Sequence, residues 1–388
     1  MLRFAIRAAP LAGLSLLLCG CLSFGAIATR GTAINEGVGS LQNRTVLLNL
    51  VRASQGEPLF FTSIDQVIGQ GAADLKLEAP QVTTPGNVVV YNSGGATALD
   101  NSTSTSLQMS VYATHDFYAG LMAPLTLDEI NLLLHQGFSR ELIFYLTIEK
   151  AKITPAKGRP FYIYNNPADP RSYPLFVKAV EVAMEHGLTT EAAPAGDAAT
   201  ASGQSVTSVA AAGKIDFVLK SDKSGPEIQE CFDQALATPD ANAEFDKLAA
   251  GGIAPNFCGA GTHARSQTVY LNGPDSPPVE VEVIFRSTYS VFHYVGAVLN
   301  GGAVPSLVDY GVPGELTPAG PILNVTTGTT VGGACFAAVD YAGTHYCASR
   351  RGEGAATTRQ IFSVLTSLVA LKQSPGDLPS SQSVLIAR

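Results

Sequence analysis

The chain has 388 residues, enough for a large core and for one or two domains. Its formal net charge is −8, and the nearest thing to a basic patch is the isolated pair Arg350-Arg351. That balance excludes an extended phosphate-binding surface, so no nucleic-acid partner is expected. Trp is absent, which removes one favoured side chain for stacking on sugars or anchoring an interface, although Tyr and Phe remain.

Residues 1–20 have the make-up of a signal peptide. Arg3 and Arg7 give a basic start with no acid nearby, and Ala8 to Leu18 is apolar apart from Pro10, Gly13 and Ser15. The apolar run is shorter than the roughly 20 residues a membrane span needs, which argues against a permanent transmembrane helix. Leu18-Cys19-Gly20-Cys21 closes the segment, and here the sequence resembles the bacterial lipoprotein signal. Leu18 stands three residues before Cys21 and the small Gly20 just before it. Cys19 fits less well as the modified residue, because Leu18 would then occupy the small-residue position. The resemblance implies a diacylglyceryl thioether on Cys21 and an acyl chain on its new amine. Two or more chains hold a protein on a bilayer where one is marginal. The partner implied is therefore the membrane itself, through the lipid anchor. Leu22, in place of the Asp that signals inner-membrane retention, implies the outer membrane. Removal of residues 1–20 leaves 368 residues and, with Arg3 and Arg7 gone, takes the net charge from −8 to −10.

Residues 21–31 read as a lipidated tether. From Thr32, Ile34, Val38, Leu41, Thr45 and Leu48 recur at helical spacing, and Gln55-Gly56 marks the end. Leu59–Ile64, Leu75–Glu78, Val88–Tyr91 and the alternation Leu107, Met109, Val111 predict strands. Thr126-Leu-Asp-Glu129 is a capping-box pattern and opens a helix with Leu127, Ile130, Leu133 and Leu134 on its apolar face. Arg140-Glu141 begins something helical, whereas Ile148–Ile153 is strand-like. Ser172–Gly187 predicts a helix, with Pro174 in the first turn, Gly187 at the C-cap, and Leu175, Phe176, Ala179, Val180, Ala183 and Met184 along one stripe. Residues 189–213 are rich in Ala, Gly, Ser and Thr without apolar periodicity and predict an exposed loop.

This loop divides an N-terminal half, 32–188, from a C-terminal half, 214–388, expected to pack on it. In the second half, Ile215, Phe217 and Leu219 predict a strand, and 222–266 offers only weak helical stretches. Val279, Val281, Val283 and Phe285 give the clearest strand. Ser287 caps a helix carrying Val291, Phe292, Val295, Val298 and Leu299, stopped by Asn300-Gly301-Gly302. Short strands are expected at Ile322–Val325, Cys335–Val339, Thr344–Ala348 and Val384–Ile386, and a last helix around Ile361–Leu371. Strands and helices mix without a regular βαβα repeat, so the fold class expected is α+β, a mixed and largely antiparallel set of sheet elements with amphipathic helices and long polar loops. Thr45–Ser54 with Phe60-Phe61-Thr62, Arg140–Lys150 and Arg359–Leu371 resemble segments of uncharacterised proteobacterial envelope lipoproteins, a resemblance that implies no known activity.

Four cysteines remain beyond Cys21: Cys231, Cys258, Cys335 and Cys347. An even number in an oxidising compartment points to two disulfides, for which three connectivities exist. Local pairing is expected, because Cys335 and Cys347 flank two short strands about Ala342-Gly343. A loop that short constrains the unfolded chain by about 3 kcal/mol. A zinc site is disfavoured by the lack of a close C-x-x-C pair.

The common catalytic and cofactor signatures are absent from the sequence: no G-x-S-x-G, S-x-x-K, H-E-x-x-H, Walker loop, or G-x-G-x-x-G opening a helix. Gly213-Lys214 lacks the following Ser or Thr of a phosphate loop. His115-Asp116 reads as turn or helix-start chemistry rather than a base with its orienting acid. Glu280 and Glu282 share a strand face opposite apolar Val and read as a solvated pair. His263, His293 and His345 are too scattered for a metal site, and Arg140-Glu141 reads as surface or inter-element ion pairing. No cofactor and no metal are expected. Two functions fit: a lipid-anchored protein binding or scaffolding envelope protein partners without catalysis, and a lipid-anchored hydrolase of an envelope polymer whose site gathers from distant residues.

Overall fold

The computed structural model describes the backbone of residues 9–76, 98–111, 114–192, 228–259, 267–302, 305–308, 310, 320–328 and 335–373, and their side chains outside 9–30, 63–76 and 98–111. The chain divides into two compact units. The smaller takes in Met1–Leu41, Phe60–Thr114 and Ser374–Arg388. It holds most of helix α1 (Ala9–Ser54) and an antiparallel ribbon of β1 (Thr62–Lys76) and β2 (Ala98–Val111). Two expectations change here. The backbone of 21–31 is helical and continuous with the helix expected from Thr32, with no proline after Pro10 to interrupt it. Thr62–Ile64 and Leu75-Lys76, from the two strands expected at Leu59–Ile64 and Leu75–Glu78, belong to one strand paired from Thr62↔Val111 to Lys76↔Ala98 with a register shift between Ile64 and Gln66. A continuous ladder satisfies the backbone whatever the side-chain pattern, which is why periodicity understated it. Among the described residues no helix is long and apolar enough to cross a membrane.

The larger unit, Gln42–Leu59 and His115–Gln373, contains the main core. After the end of α1 come α2 (His115–Met122), α3 (Leu127–Leu134) and α4 (Arg140–Thr147), followed by β3 (Ile148–Pro155) and β4 (Phe161–Tyr164). Then α5 (Tyr173–Glu185) leads through Gly187 into β5 (Leu188–Ala192), which pairs antiparallel with β6 (Ile228–Phe232). Helix α6 (Pro239–Ala250), strands β7 (Gln267–Val269) and β8 (Val279–Phe285), and helix α7 (Thr288–Leu299) follow. The short strands β9 (Ser306–Leu307) and β10 (Gly320–Pro321) pair together. Strands β11 (Val325–Thr327), β12 (Cys335–Tyr341) and β13 (Thr344–Ser349) form a three-stranded sheet, and α8 (Ala355–Leu371) ends the described chain. The class is α+β, with eight helices and several small antiparallel sheets among the described residues.

Caps act where the sequence places them. The Thr126 hydroxyl accepts from the Glu129 N–H, and the Glu129 carboxylate accepts from the Thr126 N–H at 2.9 Å, completing the capping box. Its other oxygen meets the Lys372 ammonium just past α8, so one carboxylate starts α3 and ties it to α8. Ser139 caps α4 and Ser287 caps α7. The first residues of the loop expected over 189–213 are strand. Thr189–Ala192 lie in β5, because pairing with β6 supplies the backbone partners that their own side chains do not advertise. The remainder of that segment, the Ile215–Leu219 strand and Val384–Ile386 lie outside the described residues. Of the weak helical stretches expected within 222–266, α6 is a helix while Ile228–Phe232 is strand β6, and the strand expected at Ile322–Val325 is replaced by β10 and β11 on either side of Ile322–Asn324.

The main sheet has the order β4-β3-β8-β7. Register sets Ala151 opposite Val283 and Ile153 opposite Val281, which gives the sheet an apolar face. Lys152 opposes Glu282 on the other face, where the two form an ion pair at 3.0 Å. Alternation on β8 therefore sets its half-buried valines on the side of Ala151 and Ile153 and Glu280 and Glu282 on the other.

Helix α4 is buried on every side and feeds directly into β3. Arg286 resolves the backbone problem that this creates. Its N–H donates to the Thr147 carbonyl at 2.7 Å. Its guanidinium donates to the carbonyls of Tyr145 at 3.1 Å and Leu146 at 3.3 Å, and to that of Asn165. Asn165 adds Nδ2 bonds to the Tyr145 and Ile148 carbonyls, both at 2.8 Å. The guanidinium stacks 4.1 Å from the Tyr294 ring centroid. Burial pulls the Arg286 pKa down to about 10, which leaves it charged at neutral pH. Arg140 and Glu141, read from sequence as forming surface or inter-element ion pairs, are 4% and 1% exposed, which rules out the surface alternative. Arg140 donates to the Leu188 carbonyl and Glu141 accepts the Val308 N–H at 2.9 Å, so they serve backbone groups inside the fold.

The β12–β13 hairpin turns through Ala342 and Gly343, both at positive φ, as a tight two-residue hairpin turn requires. The sulfurs of Cys335 and Cys347 stand at disulfide distance, with Cα atoms 5.4 Å apart. They are diagonal rather than directly opposite. Cys347 pairs with Ala338 and Cys335 with Ser349, and the register shift between Cys335 and Ala337 carries one sulfur across.

Two outcomes follow. Arg286→Ala strips donors from three buried carbonyls and should cost about 3 kcal/mol or more in urea unfolding of the purified chain. Nonreducing peptide mapping should recover Cys335 with Cys347 and Cys231 with Cys258; free thiols at these positions after alkylation during lysis would contradict the pairing.

Candidate functional site

The apolar face of the main sheet and helix α5 do not close completely. Between them lies a pocket enclosing about 560 Å³ up to and including its mouth, of which about 40 Å³ can hold the centre of a water-sized atom. Val281 and Val283 of β8 form part of its floor and Phe176 of α5 part of its roof. Ala179 and Ala183, one helical turn apart and half-buried, keep the roof open because neither carries a side chain beyond Cβ. The α5 stripe read from sequence is correct at Phe176, Val180 and Met184 but not at Leu175, which is 56% exposed.

Two polar residues stand among the lining residues: Glu230 of β6 and Gln267 of β7. Both break the apolar pattern. Gln267 pairs with Val281 and so shares the buried face of the sheet. Its Nε2 donates to the Glu230 carbonyl at 3.1 Å, and its buried Oε1 has no hydrogen-bond partner among the described residues. The Glu230 carbonyl also accepts from Asn256 Nδ2 at 2.7 Å, so its main chain is fixed from two sides. The Glu230 carboxyl has no counter-charge among the described residues. Burial alone pushes its pKa up to about 8, and it is largely a neutral acid at neutral pH.

Local geometry explains how Glu230 arrives there. Gly187 has φ +70° and a Cβ at that position would stand 2.4 Å from the Asp233 carbonyl oxygen, so the turn from α5 into β5 needs glycine. The segment Asn256–Cys258 then runs beside β6, with Phe232 N–H donating to Asn256 O at 2.9 Å and Cys258 N–H to Phe232 O at 3.0 Å. The Cys231 and Cys258 sulfurs are at disulfide distance, Cα atoms 4.9 Å apart. A link closing that span would constrain the unfolded chain by about 3–4 kcal/mol. Glu191, Cys231 and Cys258 form the one trio with metal-ligand spacing among the described residues. The two sulfurs are bonded to each other, and Glu191 accepts from Gln229 Nε2 at 2.9 Å and Gly259 N–H at 2.7 Å, so the trio is a structural knot.

The residues singled out in the sequence do not meet at this pocket. The Cys21 side chain, His263 and Gly213-Lys214 lie outside the described residues. His115 and Asp116 start α2 with side chains 93% and 88% exposed, 3.3 Å apart. Glu282 is engaged by Lys152 on the solvated face. His293 is half-buried against Tyr289 on α7, and burial lowers its pKa. His345 pairs across the hairpin with Asp340 at 2.7 Å. His186, passed over in the sequence, is buried between Phe232 and Phe245, with Nδ1 on the Val182 carbonyl and Nε2 on Glu244 at 3.1 Å, where it ties α5 to α6. None of these His–acid pairs reaches a Ser, Thr or Cys by hydrogen bond among the described residues.

Glu230 and Gln267 carried no motif. Ile228–Phe232 and Gln267–Val269 are short strands of mixed polar and apolar residues, so no local pattern marked these two as buried. No protein-family model, curated protein or solved structure matches the chain.

The buried acid predicts a pH dependence of stability. Between pH 4.5 and about 8 the unfolded chain has released a proton that folded Glu230 retains. Stability therefore falls as pH rises through that window, by at most about 1.4 kcal/mol per pH unit. Glu230→Gln should remove this slope, so its stability advantage over wild type should be larger at about pH 8 than at about pH 5 in paired urea titrations.

Proposed function

We propose that this chain is a lipid-anchored envelope protein that binds a small apolar ligand in the pocket beneath α5, without performing chemistry on it. The observation that carries the ligand reading is the pocket itself. An apolar cleft roofed by two alanines, with polar groups reduced to Glu230 and Gln267, has the composition of a small-molecule site. A buried acid without a counter-charge and an amide oxygen without a partner are costly in a plain core. The lipoprotein-like Leu18-Cys19-Gly20-Cys21 supports the location, with acyl chains at Cys21 holding the protein on the membrane, at the outer membrane given Leu22.

Each half has its own test. Metabolic labelling with a fatty-acid analogue should mark the wild type and not Cys21→Ser, and equal labelling would defeat the anchor. For the pocket, the full chain carrying Cys21→Ser should take up an apolar fluorescent probe saturably. Ala183→Phe, which places a ring in the opening, should abolish uptake while leaving the circular dichroism spectrum and melting midpoint near those of the parent. Undiminished uptake in a folded Ala183→Phe protein would overturn the binding reading.

A further inference from the structure

We infer that the edge of the main sheet at the β3–β4 hairpin is a membrane contact, in which Phe161, Tyr162 and Tyr164 enter the interface of an anionic bilayer while Lys157 and Arg159 meet its phosphates. This contact goes beyond the ligand pocket and the acylation of Cys21 and depends on neither. Strand β4 is the outer strand of the β4-β3-β8-β7 sheet. It presents aromatic rings at three of its positions, Phe161, Tyr162 and Tyr164, which are 47%, 45% and 44% exposed. Tyr162 and Tyr164 stand opposite Lys152 and Lys150, and Phe161 opposite Ile153, so the rings lie on both sides of the edge. Leu175, also exposed, follows Ser172, whose hydroxyl accepts the Tyr164 N–H and holds the start of α5 against the strand. Large apolar groups gathered in water on an edge strand are an aggregation liability unless another surface covers them.

Charge identifies that surface. The turn carries Lys157 and Arg159 on either side of Gly158, whose φ is +126°, and residues 156–162 are all exposed. Lys150, Lys152, Lys178, Lys247 and Lys372 each pair with a carboxylate at 3.8 Å or less, whereas Lys157 and Arg159 have none among the described residues. Uncompensated cations beside exposed rings suit a layer of anionic headgroups, because the rings settle at headgroup level and Lys and Arg reach the phosphates. A chain of net charge −8 is repelled by such a bilayer as a whole, so contact has to be made through a locally positive surface. Two other occupants fit less well. Lys150 Nζ lies 5.6 Å from the Tyr162 ring centroid and 6.0 Å from that of Tyr164, which occupies a ring face that a sugar would stack on. The carboxylates that would hold sugar hydroxyls there, Glu149 and Glu282, are engaged by Lys150 and Lys152. An added β-strand would need the open edge of β4, where the Tyr164 N–H is already taken by Ser172.

The chain has no Trp, so Phe161→Trp places a single indole at the hairpin. The full chain carrying Cys21→Ser and Phe161→Trp is titrated with phosphatidylcholine vesicles, with and without phosphatidylglycerol, in which brominated acyl chains quench an indole that reaches them. Emission should move to shorter wavelength and be quenched on the anionic vesicles, and Tyr162→Trp in place of Phe161→Trp should report the same. Met122→Trp, at the exposed end of α2, should show neither change. Lys157→Gln together with Arg159→Gln should raise the lipid concentration for half-maximal quenching about thirtyfold, the loss of two cations at an anionic surface. High salt should weaken the parent in the same direction. No response at either hairpin indole, equal quenching at Met122→Trp, or partitioning unchanged by the two Gln substitutions would overturn the inference. A response to soluble glycan strands and not to vesicles would overturn it in favour of a glycan. Cys21→Ser removes the acylation site from every arm, so failure here leaves the fatty-acid labelling result untouched, and failure of that labelling leaves this contact standing.

Discussion

A single buried guanidinium organises the larger unit. Helix α4 is enclosed by protein on every side and passes without a loop into the central strand β3, a junction that leaves the last helical carbonyls facing protein instead of water. Arg286 sits at the end of β8, the neighbour of β3, and caps those carbonyls with its guanidinium while its own N–H takes Thr147. Because Arg286 also precedes the Ser287 cap, the same residue that closes α4 launches α7. Tyr294 of α7 then stacks on the guanidinium and touches the Tyr173 hydroxyl at the start of α5. Helix α4, the main sheet, α5 and α7 thus share one cationic hub whose bonds run mostly to main chain.

The pocket is a consequence of that arrangement together with local chain constraints. The hub fixes α5 over the sheet at its Tyr173 end, while Gly187 and the Asp233 carbonyl fix the chain at the other. Between those points the small side chains of Ala179 and Ala183 face the floor formed by β8 and β7. The β5–β6 hairpin, strapped by Cys231–Cys258 and by Asn256, presents Glu230 at this gap. Where α7 meets α1, the opposite solution is used. A Cβ on Gly296 would lie 2.7 Å from Ser54 N, so the absence of a side chain there permits close backbone approach and leaves no gap.

Arg286, Asn165, Arg140, Glu141 and His186 contact backbone carbonyls, backbone amides or a partner side chain across the fold. Gln267 does the same through Nε2, and its Oε1, like Asn165 Oδ1, Gln229 Oε1 and Gln360 Oε1, has no partner among the described residues. Glu230 and Gln267 differ from the other buried polar residues in lining the pocket, which is the reason for placing the ligand site there.

Local patterns written within a few residues determined much of this protein without reference to its tertiary structure. The Thr126–Glu129 box, the Ser287 cap, the Pro174 and Gly187 bounds of α5, the alternation along β8 and the turn at Ala342-Gly343 all depend on neighbours one helical turn or one hairpin apart, and each is found where the sequence placed it. The α+β class followed from their order. Long-range pairing was invisible to such patterns. Thr189–Ala192 becomes a strand because Ile228–Phe232 lies beside it, and β1 runs through fifteen residues because β2 pairs with it from end to end. Arg140 and Glu141 look like surface charges until the carbonyl of Leu188 and the amide of Val308 are brought to them from distant parts of the chain. The site was hidden for the same reason. Glu230 and Gln267 are 37 residues apart, and only the packing of two sheets under α5 removes them from water and sets them in one wall.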